Sequence, residues 1–359
     1  MTRREFLAVT GGLTIGGIRA KAEDRTASEL PNSIRVGVIG FAGHYSEVTA
    51  VKNLDVQFVA ISDPNAATLE RVGRLANLRG ARQYADYRKM LETEALDVVA
   101  ECGENQPRAR IVQDCAQRGL PIITEKPLAL NLKELGAVKR AIERHPVPLS
   151  MLLTMRCAPP YLAMREIVQQ GKIGEVASMD AQKSYQLGTR PDWMKSRRTF
   201  GGTIPYVAIH MLDLMRWISG QEFTQVAAFH SNVGSPQIGE MENNAALAFK
   251  LGTGGSASMR IDYLRPAGAK SHGDDRLRVV GTHGIVECQG ERVMLVTENE
   301  ASREVSPLPP AKSLFANFLE SIYLGQSPVL SATDIFRISE VVLKARESAD
   351  TGKVVRLEH

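Results

Sequence analysis

The chain has 359 residues, 43% of them hydrophobic, and a formal charge of +4, enough length for two domains and a sizeable core. Residues 1–22 carry Arg3, Arg4, Arg19 and Lys21 against Glu5, so the remainder is close to neutral, which removes the electrostatic case for a nucleic-acid partner. No uninterrupted apolar run reaches the roughly 18 residues that a membrane-spanning helix needs.

The first element is a leader. Arg3-Arg4, then FLAVTGGLTIGGI, then RAKA reads as a twin-arginine export signal, with Ala20-Lys21-Ala22 as a cleavage site before Glu23. Four glycines keep its apolar part weakly hydrophobic, and Arg19 and Lys21 put charge beside the cut, both unlike a Sec signal. The expectation is passage through the twin-arginine translocase to the periplasm or beyond, with the cytoplasm as the location if the leader does not function. No cysteine follows the apolar run, so no lipid anchor is expected. Cys102, Cys115, Cys157 and Cys288 lack metal-ligand spacing and read as small buried apolar residues, so no metal is expected.

After a polar linker over 23–33, IRVGVIG, VQFVAISD, LDVVAEC and LPIIT are short, almost wholly apolar runs of the kind found in buried parallel strands. Helical patterns such as NAATLERVGRLA and PRARIVQDCAQRG lie between them, which predicts an α/β domain with a doubly wound parallel sheet over 34–150. Its first turn reads Gly40-Phe41-Ala42-Gly43-His44-Tyr45. A dinucleotide fingerprint wants glycine at Ala42 and glycine or alanine at Tyr45, so the match is degenerate, but it sits between a strand and a helix. Asp63 closes the second strand, where a carboxylate binds the adenosine ribose diol and repels a 2′-phosphate. NAD is therefore expected over NADP.

From PPYLAMREIVQQGKIGEV onward the pattern changes to successive strands: EVASMDAQKSYQ, TQVAAFHSNV, NAALAFKL, SASMRIDYL, LRVVGTHGIVECQ and RVMLVTE. A second domain over 151–359 with a large, mainly antiparallel sheet follows. Two terminal helical patterns, SLFANFLESIYLG and ATDIFRISEVVLKARESADTG, are free to pack back on the first domain.

Glu125-Lys126-Pro127, at the carboxyl end of a predicted strand and followed by LAL, resembles the signature of the Gfo/Idh/MocA family of sugar and inositol oxidoreductases. GKIGEV at 171–176, GGTIPYVAIHMLDLMRW at 201–217, LRVVGTHGIVE at 277–287, FANFLESI and ESADTGKVVRL resemble later family segments in the right order. The resemblance implies a Rossmann domain, an open-sheet second domain through which copies associate as dimers or tetramers, and bound NAD. It also implies a sugar, sugar-derivative or cyclitol substrate. Glu104, Asn105, Glu125, Lys126 and Pro127 join the first turn and Asp63 as expected cofactor contacts. Lys126 would polarise the reacting oxygen and His210 would take the proton. Asp213, three residues on, shares a helical face with His210 and could orient it. Arg156, Lys183, Tyr185, Asp192 and Trp193 are the expected walls of the substrate pocket.

Two positions depart from the family pattern. Tyr206 stands where relatives carry Asp, so a phenol able to donate or relay a proton replaces a negative charge. Arg108 stands where many carry His. Two competing expectations follow: glycoside cleavage by oxidation, elimination and re-reduction on tightly bound NAD, or a cofactor-binding protein whose catalytic site has lapsed.

Overall fold

The computed structural model describes residues 33–357 apart from Asn53. The leader and nearly all of the linker, and with them the export reading, lie outside the described residues.

In the first half, strands alternate with helices. They are β1 (Ile34–Ile39), α1 (Tyr45–Thr49), β2 (Val56–Ser62), α2 (Ala66–Gly73), β3 (Arg82–Tyr84), α3 (Tyr87–Thr93), β4 (Val98–Glu101), α4 (Asn105–Gln117), β5 (Ile122–Thr124), α5 (Leu132–Arg144) and β6 (Leu149–Met151). The six strands form one parallel sheet in the order β3-β2-β1-β4-β5-β6. Strand order reverses between β1 and β4, the place where open α/β sheets bind ligands. Gly40 (φ +76°) turns the chain there; a Cβ would lie 2.2 Å from the Gly103 Cα, so only glycine lets the loops after β1 and β4 touch. The helix after this turn is short, five residues, because the chain leaves helical geometry at Ala50.

The second half begins with α6 (Pro159–Gln169) and β7 (Val176–Tyr185). Then come α7 (Arg197–Phe200), a π-helical segment over Ile204–Ala208, and α8 (Ile209–Ser219). Strands β8 (Phe223–Ser231), β9 (Asn244–Leu251), β10 (Ser256–Asp262), β11 (Gly273–Gly281), β12 (Gly284–Gln289), β13 (Arg292–Thr297) and β14 (Glu300–Glu304) follow. Helices α9 (Leu314–Tyr323) and α10 (Ala332–Thr351) and a two-residue β15 (Val355–Arg356) close the chain. The single run expected over LRVVGTHGIVECQ is two antiparallel strands, β11 and β12, separated at Thr282-His283. Nine strands make one sheet in the order β14-β13-β12-β11-β7-β10-β9-β8-β15, antiparallel except where β7 and β10 run side by side. Its strands alternate buried and exposed residues: one face packs on the helices and the other is open.

The two halves are joined by buried contacts. Phe315, Phe318 and Leu319 of α9 pack into the core with Val36, Val38, Ile61 and Val98 of the parallel sheet. Helix α10 is capped by Ser331 and stopped by Gly352 in the left-handed conformation. Its Arg346 donates to the carbonyls of Leu130 (2.8 Å) and Gly201, which ties the helix to both halves.

Candidate active site

Glu125 and Lys126 leave β5 at its carboxyl end, where an apolar buried strand delivers polar side chains into the crevice. Lys126 is 4% exposed. Its Nζ donates to the Tyr206 carbonyl at 3.1 Å and lies 3.3 Å from the centroid of the Tyr206 ring. Burial, helped by the cations Arg108, Lys183 and Arg190 and opposed by Glu125, brings the ammonium down to about 7.

Tyr206 sits in the π-helical segment, a distortion that recurs at functional sites, and burial pushes its phenol up to about 12. The phenol therefore stays protonated, while its ring and main-chain carbonyl hold the ammonium. His210 follows at the start of α8, 7% exposed, with its Nδ1 buried and without a partner. Burial, then the charges of Lys126, Lys183 and His44, hold its imidazole well below the usual histidine range. It is thus a neutral ring, able to accept a proton.

Glu125 accepts from the backbone N–H of His44, from His44 Nδ1 at 2.5 Å and from the backbone N–H of Lys126 at 3.0 Å. Burial alone would raise this carboxyl, but His44 outweighs it and holds the group down to about 2. The His44 ring, expected to face the cofactor, lies 6.1 Å from that of His210 and lines the same cavity. That cavity holds about 290 Å³ and is walled by His44, Lys126, Tyr185, Arg190, Tyr206, Val207, His210, Tyr263 and His272.

On the other side of the Gly40 turn lies a larger groove of about 440 Å³, lined by Gly40, Phe41, Ala42, Asp63, Asn65, Tyr87, Arg88 and Glu104 among others. Its shape and donor set fit a dinucleotide. Apolar surface from Phe41, Pro107 and Ile111 can cover an adenine, and Asp63 stands at the end of β2 where a ribose diol would be bound. Burial and the charge of Asp63 raise the Glu104 carboxyl, so two acids bias the groove against a further phosphate. Gly43 packs against Glu125, whose Oε1 would be 2.3 Å from an added Cβ. Tyr45 meets Phe41 edge-on at 5.3 Å.

Other residues expected at the site stand elsewhere. Arg156 is outside the cavity and forms a bidentate pair with Asp213 at 2.6 and 2.7 Å, both side chains 1% exposed. Asp213 therefore holds Arg156, not His210, because α8 turns its carboxylate toward the loop before α6. The Asp192 side chain is 97% exposed and pairs with Lys195. Trp193 stands behind Tyr206, ring centroids 6.3 Å apart. Lys183 is buried beside the cavity but holds Asp275 at 2.5 Å. Asn105 donates to the Phe200 carbonyl at 2.8 Å and accepts from Arg108, a packing role.

Arg108, the second departure, is a brace. Fully buried, it bonds Glu101 (2.7 Å), Asn105, the Pro127 carbonyl (3.0 Å) and the Gly103 carbonyl (2.7 Å), linking the end of β4 to the loop that carries Lys126. Sequence reasoning did not place Arg190, Tyr263 or His272 at the site. What brings them there is strand pairing: β7 and β10 are parallel neighbours, so Tyr185 and Tyr263 emerge at the same end, and His272 precedes β11, which pairs with β7.

A family profile described as "Oxidoreductase family, NAD-binding Rossmann fold" matches residues 34–152, and one described as "GFO/IDH/MocA C-terminal domain" matches residues 161–287. A solved structure from Thermotoga maritima is 34% identical, with 90% of this chain and all of that one superposed at a TM-score of 0.85. The myo-inositol 2-dehydrogenase of Thermotoga maritima is 25% identical over 348 residues, covering 90% of this chain and 99% of its own length. Levoglucosan dehydrogenase, solved with NADH, is 18% identical at a TM-score of 0.80, over 91% of this chain and all of that one, a likeness of fold.

Proposed function

Because the chain belongs to the Gfo/Idh/MocA family of NAD-binding oxidoreductases, we propose that it moves hydride between bound NAD and a secondary alcohol of a sugar, sugar derivative or cyclitol. One observation carries the reading: Lys126 and neutral His210, whose Nδ1 has no partner, line one cavity beside the dinucleotide turn. NAD supplies a two-electron acceptor for the hydride. The protein supplies the rest. Lys126, held by the carbonyl and ring of Tyr206, stabilises negative charge on the reacting oxygen as its carbon is oxidised. His210 accepts the hydroxyl proton, its low basicity setting it up to release that proton again. Two of the similar proteins, an inositol dehydrogenase and a levoglucosan dehydrogenase, act on polyhydroxylated rings, which supports the substrate class.

The test is to denature the protein, identify the released dinucleotide, and then assay Lys126→Ala and His210→Ala. Each should retain NAD and lose turnover by on the order of 10²- to 10⁴-fold. Parental turnover in both would refute the assignment. A second reading, glycoside cleavage by oxidation, elimination and re-reduction, draws on His44: held by Glu125, it is a second proton carrier in the cavity, which elimination needs. Aglycone release without net NADH would favour it.

We also propose export of the folded, NAD-loaded protein, on the strength of the twin-arginine leader, because NAD has to be bound before export if it is not free outside. The open face of the nine-stranded sheet is proposed to meet a second copy. Ala227, Phe229, Ala246 and Ala248 stand there in adjacent register, Phe229 69% exposed.

A further inference from the structure

The cavity holds a cation beyond the one that hydride transfer requires. None of its nine lining residues is acidic, while Lys126 and Arg190 both face it, beside three histidines of which His210 is neutral. Three carboxylates stand close by: Glu125 is held by His44 and the Lys126 backbone, Asp275 by Lys183 through Oδ2 while its Oδ1 is buried without a partner, and Glu242, near Tyr263, by Arg197. Arg190, half-buried, is the exception among the cations at this junction. Arg108 holds Glu101, and Arg156 holds Asp213. Among the described residues Arg190 has no acidic partner. Its guanidinium lies 4.4 Å from the centroid of the Tyr263 ring, its Nη2 reaches the Gln186 carbonyl only at 3.4 Å, and its Nε is buried with nothing to bond.

A half-buried guanidinium whose Nε is buried and idle is better satisfied when an anion completes its set of partners. Its planar fork matches a carboxylate, two parallel N–H donors to two oxygens. Tyr185 stacks on His272 at 5.4 Å and leans on Tyr263, so an aromatic wall continues from Arg190 along the cavity. At about 290 Å³ the space is near the lower end of small-molecule pockets, which run roughly 300–1,000 Å³, and suits one ring. We propose that Arg190 is a carboxylate-binding residue and that the substrate is a sugar acid, a polyhydroxylated carboxylate. The oxidised hydroxyl lies at Lys126 and His210, and the carboxylate at Arg190. This rests on the hydride-transfer reading above.

The experiment uses the full, NAD-loaded protein. Binding of D-glucuronate, D-galacturonate and D-gluconate is measured by calorimetry against D-glucose, D-galactose and glucose 6-phosphate, with NADH formation followed in parallel. At least one acid should bind about tenfold or more tighter than its neutral counterpart. Arg190→Ala should weaken that acid by on the order of 10- to 100-fold and leave neutral sugars within about twofold. Arg190→Lys should recover part of the loss as a point charge. Equal binding of acids and neutral sugars, no binding of any acid, equal weakening of both classes by Arg190→Ala, or preference for glucose 6-phosphate would each overturn the proposal. The two readings fail separately. Arg190-dependent acid binding without NADH from any compound leaves the carboxylate site and removes hydride transfer. NADH from neutral sugars alone does the reverse.

Discussion

Lys126→Met tests whether the site holds a destabilised cation. The ammonium falls from an ordinary value of 10.5 to about 7 in the folded protein, first because it is buried. Each unit is worth about 1.4 kcal/mol, so the native state disfavours the charged form by about 5 kcal/mol relative to the unfolded chain. The sign follows from the proton count. Below pH 7 the lysine is charged in both states, and the full penalty is present. Between pH 7 and 10.5 the unfolded chain binds the extra proton, so the parent gains stability with rising pH by about 1.4 kcal/mol per unit. Methionine has a similar length and no charge. It forfeits the bond to the Tyr206 carbonyl, a loss of about 1–3 kcal/mol that does not vary with pH. At pH 6 the variant should therefore be more stable than the parent by about 2–4 kcal/mol, and by pH 10 the order should reverse. Guanidinium unfolding of the NAD-free proteins at half-unit steps from pH 6 to 10 measures it. A stability difference that does not change with pH would refute the argument, whatever its size, because only the titration of Lys126 produces the slope.

Arg108→Leu should cost about 3–5 kcal/mol by leaving Glu101 charged and buried, and Arg108→Leu with Glu101→Leu should recover most of it, both read by chemical denaturation. Asp63→Ala should narrow the preference for NAD over NADP by about tenfold or more in direct binding, with Glu104 keeping a remnant; release of NADP alone from the native protein would contradict the role of that carboxylate. Replacing Arg3 and Arg4 together by Lys should leave the protein full-length, folded and cytoplasmic by fractionation and immunoblot, and a processed exported form would sink the twin-arginine reading. Phe229→Glu should convert an oligomer to monomer in light scattering at unchanged melting temperature, since the side chain is exposed on the open sheet face.

Local patterns in the sequence determine the architecture of this protein. IRVGVIG and LDVVAEC are short, mostly apolar runs that alternate with helical stretches, the pattern of buried parallel strands, and the β1 and β4 they become meet at the reversal point of the sheet. Asp63 and Lys126 could be placed because each follows such a strand, and the end of a parallel strand opens into the crevice wherever the helices go. The walls of the cavity were decided elsewhere. Lys126 meets Tyr206 across 80 residues, and Arg156 meets Asp213 across 57. No period or spacing reports which of two helix faces a partner from another domain will occupy. Asp213 sits three residues from His210, as an orienting carboxylate would, yet a buried arginine claims it. His44 lies in the dinucleotide turn, yet Glu125 draws its ring toward His210. Arg190, Tyr263 and His272 come together only through the register of β7, β10 and β11. A buried charge takes the nearest partner that packing supplies, and packing is settled only when the two sheets and the helices between them are in place.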